Sequence, residues 1–163
     1  MIELNEKAIT DEMLALSALR TMTAKNENSD TIRFRRMLTR DHLPGLRVIL
    51  KIVFAETILE LAPWMEDCPV TVTGIASTRP YDPDSNSLQP IALTGEDRWS
   101  NGMKLTVKRQ LEHIVAAGTL GWATTEGDAE FAAMLQEKRE AALSALKEHL
   151  AGDAAVTTAA GWP

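Results

Sequence analysis

The clearest periodic signal lies toward the C-terminal end. Between Glu126 and Leu150 the apolar or small residues Phe131, Met134, Leu135, Ala142, Ala145, Leu146 and Leu150 recur at helical spacing, with Glu137, Lys138, Glu140, Lys147 and Glu148 between them. This spacing predicts an amphipathic helix. Gly152 is a natural stop for it. The residues from Asp153 to Ala160 have too little apolar bulk to pack alone. Residues 153–163 are therefore expected to form an extended arm held by a partner, with Trp162 and Pro163 as its anchor.

Earlier in the chain, a helix is predicted from Thr10 or Asp11 to about Ala24, burying Met13, Leu14, Ala18, Leu19 and Met22. After the polar break Asn26–Ser29, a second helix places Ile32, Met37 and Leu38 inward and Arg33, Arg35, Arg36 and Arg40 outward. Pro44-Gly45 ends or kinks it. Leu46 to Ala62 is apolar almost all round and is expected to be the most buried element, closed by Pro63. A further long helix spans Trp99 to Ala117, with Met103, Val107, Leu111, Ile114 and Val115 inward. Gly118 and Gly121 mark its end, and Thr124 or Thr125 caps the final helix.

One segment reads as a strand, Val70 to Ile75, where β-branched residues alternate. Leu88 to Leu93 is a candidate hairpin partner across a loop with Pro80 and Pro83, and a strand of another subunit is the alternative. The fold class is thus mainly α: a bundle of four to five helices in a single domain, residues 1–152. The 69–93 segment forms a small β excursion, and the C-terminal arm extends beyond the domain.

Length and composition fit this picture. The 163 residues suit one domain, and 45% hydrophobic with 25% charged residues is ordinary for a globular protein. The net charge of −6 argues against a general nucleic-acid binder. Charge is unevenly spread: six Lys/Arg against Asp41 give +5 over residues 31–51, and Arg79 against eight acids gives −7 over residues 52–97. Such alternation suits subunits meeting through opposite charges, and suits a solvated surface as well. The single cysteine, Cys68, excludes an internal disulfide. Acids at Glu3 and Glu6 argue against a signal peptide, and Lys51, Glu56 and Glu60 interrupt the longest apolar run, so no membrane span or membrane partner is expected.

Motifs for chemistry are weak. Asp82-Pro83-Asp84-Ser85-Asn86 opens like a calcium loop, but Ser87 replaces the turn glycine and Leu93 the closing carboxylate. His42, His113 and His149 lie on separate elements without metal-ligand spacing, and His113 reads as a structural histidine. Cys68 sits between Asp67 and Pro69, a poor setting for a nucleophile. Phosphate-loop, nucleophile-elbow and dinucleotide signatures are missing. Glu56 and Glu60, one turn apart, read as surface charges. Trp64, Trp99 and Trp122 fall at element ends, as lids on the core. No catalytic, cofactor or metal site is expected. Arg33, Arg36 and Arg40, the loop residue Tyr81, and Trp162 with Pro163 are the candidate interaction residues.

Two stretches resemble the head-to-tail connector, or adaptor, proteins of tailed phages. Val53-Phe-Ala-Glu-Thr-Ile-Leu-Glu-Leu-Ala-Pro-Trp64 resembles the helix with Val, Leu and a terminal Pro-Trp that leads into an extended segment. Leu105 to Leu150 resembles a closing helical hairpin, in which the second helix carries Asp128, Phe131, Leu135, Arg139, Ala142, Leu143 and Leu146. The resemblance implies a ring-forming structural protein of the virion, assembled in the host cytoplasm. Portal and tail or neck proteins would be its partners. It further implies passage of DNA through the ring lumen, without sequence-specific nucleic-acid binding. The alternative from residues alone is a small cytoplasmic helical binding module, a regulator or immunity-type inhibitor, whose acidic 52–97 surface meets a basic partner.

Overall fold

In a computed structural model, residues 1–27, 38–65 and 88–160 are described. They form four α-helices: α1 (Glu6–Glu27), α2 (Leu43–Leu61), α3 (Asn101–Thr124) and α4 (Ala129–Ala160). α3 is the hub and packs on each of the other three. From Leu111 to Gly121 every residue except His113 is buried, so this half-helix, rather than α2, is the most buried element. α2 keeps an exposed side at Val48 and Leu59, while Leu50, Val53, Ile58 and Leu61 face the core.

Each helix begins where a local hydrogen bond starts it. α1 starts at Glu6, ahead of the predicted Thr10 or Asp11. The side chain of Asn5 caps it, accepting from the backbone N–H of Lys7 at 2.9 Å and Ala8 at 3.3 Å. Its buried face is Ile9, Met13 and Ser17, and Leu19 points outward, so the predicted stripe was rotated. α2 begins at Leu43 with Pro44 in its first turn, where a proline loses no hydrogen bond. Pro44-Gly45 therefore opens this helix rather than closing an earlier one. Ser100 caps α3 by accepting from Met103 N at 3.2 Å. Asp128, not Thr124 or Thr125, caps α4, accepting from Phe131 N at 3.2 Å.

Three glycines read as helix stops lie inside helices. α3 runs through Gly118 and Gly121, and α4 runs through Gly152 to Ala160. The extended arm is thus corrected for residues 153–160: Ala151 before Gly152 and Ala154 and Ala155 after Asp153 are strong helix formers, and together they outweigh the cost of one glycine. Trp162 and Pro163 lie outside the described residues. The β hairpin is not supported either. The strand at 70–75 is outside the described residues, and its proposed partner pairs elsewhere, through isolated antiparallel bridges from Ile91 to Ile2 and from Leu93 to Met65. These bridges draw the N-terminal segment, the turn Ala62–Trp64 and residues 91–94 together, with Thr94 N donating to Trp64 O at 2.7 Å. Gly95, at φ 83°, takes the left-handed turn that leads on toward α3.

Polar pairs fasten the helices to one another. Arg20 of α1 binds Asp128 at 3.0 Å and lies over the Phe131 ring, with 5.7 Å to its centroid. Glu6 and Arg47 form an almost fully buried ion pair at 3.0 Å between α1 and α2. The buried carboxylate of Glu112 accepts from Asn5 N at 2.9 Å. Among the described residues no helix is long and apolar enough to cross a membrane.

The glycines divide sharply in what surrounds them. A Cβ on Gly118 would lie 2.7 Å from Val53 Cγ1 and 2.9 Å from Arg139 Cδ, whereas one on Gly152 would meet nothing within 4 Å. Gly152→Ala should therefore stabilise by about 0.5–1 kcal/mol, the usual gain in a helix interior. Gly118→Ala should instead cost about 1–3 kcal/mol through overpacking. Chemical denaturation of both variants checks the two signs, and a Gly118→Ala variant as stable as the parent would reject the close approach.

Candidate functional site

A surface groove follows from that close approach. Because α3 carries glycine at 118 and 121, α2 and α4 come close to it, and an open groove of about 500 Å3 remains above the seam. Its floor is buried: Val53 of α2, Gly118 and Gly121 of α3, and Ala132 and Arg139 of α4. Its rim is exposed: Glu56 of α2, Trp122 of α3, Thr125 of the turn, and Ala129, Ala133 and Gln136 of α4. Trp122 is 49% exposed, so it does not act as a lid on the core as its position in the sequence suggested. The small rim residues of α4 leave its indole accessible from the groove.

Arg139 is the unusual floor residue. It continues the buried stripe Phe131–Leu135–Leu143–Leu146–Leu150 at three- and four-residue spacing, yet it carries a charge and is only 7% exposed. Its side chain lies across Gly118, whose missing Cβ gives it room. Nη2 donates to Glu60 Oε1 of α2 at 3.3 Å, and Lys147 Nζ donates to Glu60 Oε2 at 2.8 Å. Burial pushes the Glu60 carboxyl up, but Lys147 and Arg139 outweigh it and hold the group below its ordinary value. Arg139 makes no other hydrogen bond among the described residues, so Nε and Nη1 are left to whatever enters the groove. Such a site offers a planar cationic donor at the bottom, an aromatic face at the edge and methyl-sized walls between. Its chemistry is recognition of an anion attached to an apolar body.

No family model, no characterised protein and no solved structure matches this chain. The site must be judged on its own residues. Of the candidates from sequence, Arg40 lies in the short helical turn Arg40–His42 and is exposed, away from the groove lining. Arg33, Arg36, Tyr81, Trp162 and Pro163 lie outside the described residues, as does the calcium-like loop from Asp82 to Ser87. Among the described residues no cluster of three or more His, Cys, Asp or Glu side chains is gathered where it could hold a metal ion. Glu56 and Glu60, read as a surface pair, separate in role: Glu56 stands on the groove rim and Glu60 ties Arg139 to Lys147.

Arg139 was missed as a site residue, although a signal for it exists. A charged side chain at a core position of a four-residue stripe must be neutralised and given space. Glu60 and Gly118 supply these two needs from the neighbouring helices.

A second polar contact joins α1 to α3. His113 Nδ1 bonds the Glu12 carboxylate, with both side chains about one-third exposed. The hydrogen bond to Glu12 raises the His113 pKa above its ordinary 6.5, against smaller opposing effects of burial and of Lys138. A raised folded-state pKa means that the charged pair contributes its full stability below the unfolded value of 6.5 and loses it as pH rises through the folded value. His113→Gln should therefore destabilise more at pH 5.5 than at pH 9. An NMR titration should place the imidazole midpoint above 6.5, with Glu12→Gln lowering it. An equal cost at both pH values would reject the charged pair.

Proposed function

We propose that this chain is a structural assembly protein, a head-to-tail connector subunit of a tailed phage that closes into a ring between portal and tail. The observation that carries this reading is how its two connector-like stretches fold. Val53–Trp64 supplies the C-terminal half of α2 and the turn after it, and Leu105–Leu150 supplies most of α3 and α4. These three helices meet around Gly118, and their exposed seam bears a half-exposed tryptophan above a buried arginine. Tryptophan and arginine are the side chains that most often carry binding energy between proteins. Leu59, Leu105 and Met134, all exposed, add apolar surface on the same three helices. Contacts with portal and tail or neck proteins, a place in the virion, and DNA passage through the lumen follow from the same reading.

Native mass spectrometry and sedimentation velocity test it directly. The expected result is a closed high-order ring, formed alone or on addition of a portal ring. A chain that stays monomeric under both conditions would sink the connector reading in favour of a monomeric helical binding module.

A further inference from the structure

We infer that the Gly118–Arg139 groove is a docking site for a short segment of a partner protein that presents a carboxylate beside apolar side chains. The inference rests on the reading that the chain works by binding protein, but it does not need a ring.

Charge complementarity selects the acid. Arg139 is more than nine-tenths buried, and its one hydrogen bond, to Glu60, uses a carboxylate already engaged by Lys147 at 2.8 Å. Arg139 thus shares its one carboxylate partner with Lys147 and is only partly answered at the groove floor. A buried cation in this state gains from a second carboxylate, which can accept a charge-assisted hydrogen bond from Nε or Nη1. A basic or uncharged segment would leave those donors desolvated and unpaired. Glu56 on the rim opposes an incoming acid, but it is exposed, so water screens its charge and the side chain can turn away.

Shape selects a polypeptide. A small molecule is held by a cavity that covers most of its surface. Here the rim is solvent-exposed at Glu56, Trp122, Ala129, Ala133 and Gln136. The α4 wall, from Ala129 to Arg139, extends roughly 15 Å at 1.5 Å per residue. That length matches about three turns of a docked helix, whose apolar side chains would cover Trp122 and the alanine ledge.

Selection from a displayed library of random dodecapeptides on the intact protein tests this, with Ala133→Arg as the blocked-groove control; the residue is exposed, so the fold tolerates the change. The expected winners carry Asp or Glu with apolar residues three or four positions away. A synthetic winner should bind at least tenfold more weakly when its acid is changed to the amide, and likewise to Trp122→Ala. Arg139→Gln should abolish the preference for the acid. Because Arg139 is buried, that variant's folding is checked by circular dichroism. The acid-to-amide change in the peptide decides the matter should it unfold. Winners without an acid, or no enrichment over Ala133→Arg, would overturn the inference. Displacement of the winner by 3-phenylpropionate at equal concentration would overturn the polypeptide occupant in favour of a small acid. Self-association that Ala133→Arg abolishes and that excludes the peptide would overturn it in favour of a second copy of the chain. A monomeric protein that still selects acidic peptides keeps this inference while losing the ring.

Discussion

The structure depends on one steric constraint: an arginine side chain lies across a glycine in the middle of α3. At Gly118 there is no room for a Cβ, since Val53 from α2 and Arg139 from α4 already occupy it from two sides. The helices on either side of α3 can therefore approach it at one level and be joined above it by the Glu60–Arg139 contact. Gly121, one turn on, repeats the arrangement more loosely, with the Ala132 carbonyl and Leu135 Cβ each 3.5 Å from the position a Cβ would take. Burying a guanidinium is costly unless it is paired. The site therefore balances close packing against an only partly answered charge, a condition more typical of a binding surface than of a core.

Much of the fold was legible because the apolar periodicities are strong. The boundaries of α2 shift by only a few residues, and Val107, Leu111, Ile114 and Val115 of α3 face inward as their spacing requires. The misreadings share one cause. Gly118, Gly121 and Gly152 were weighed by local propensity, which makes glycine a stop, although tertiary contact or neighbouring alanines can hold it inside a helix. Pro44 was read as a terminator for the same reason, although the first turn of a helix accepts it readily. The rotated stripe of α1 followed from its start: once Asn5 caps the helix, Ile9, Met13 and Ser17 become the inward face.

The site was far less legible. Its floor joins positions 53, 118 and 139, which no local window brings together. In the sequence Arg139 stands out only within the connector-like pattern, and Trp122 only as a helix-end aromatic. Exposure of Trp122 depends on the small size of Ala129 and Ala133 across the seam, a property of pairing between helices rather than of either sequence stretch.

Arg139 and Gly118 form a single packing unit that ties α2, α3 and α4 and creates the groove. A double-mutant cycle measures this unit without reference to any partner. Gly118→Ala is introduced into the parent and into an Arg139→Ala background, and unfolding free energies are taken from urea titrations of all four proteins. Removing the arginine stem clears one of the two sides of the space that the new methyl needs, Val53 remaining on the other, so alanine at 118 should cost less in that background. The coupling expected for contacting residues is about 0.5–3 kcal/mol. Additivity to within about 0.3 kcal/mol, the behaviour of sites that do not touch, would contradict the packing on which the fold and its groove rest.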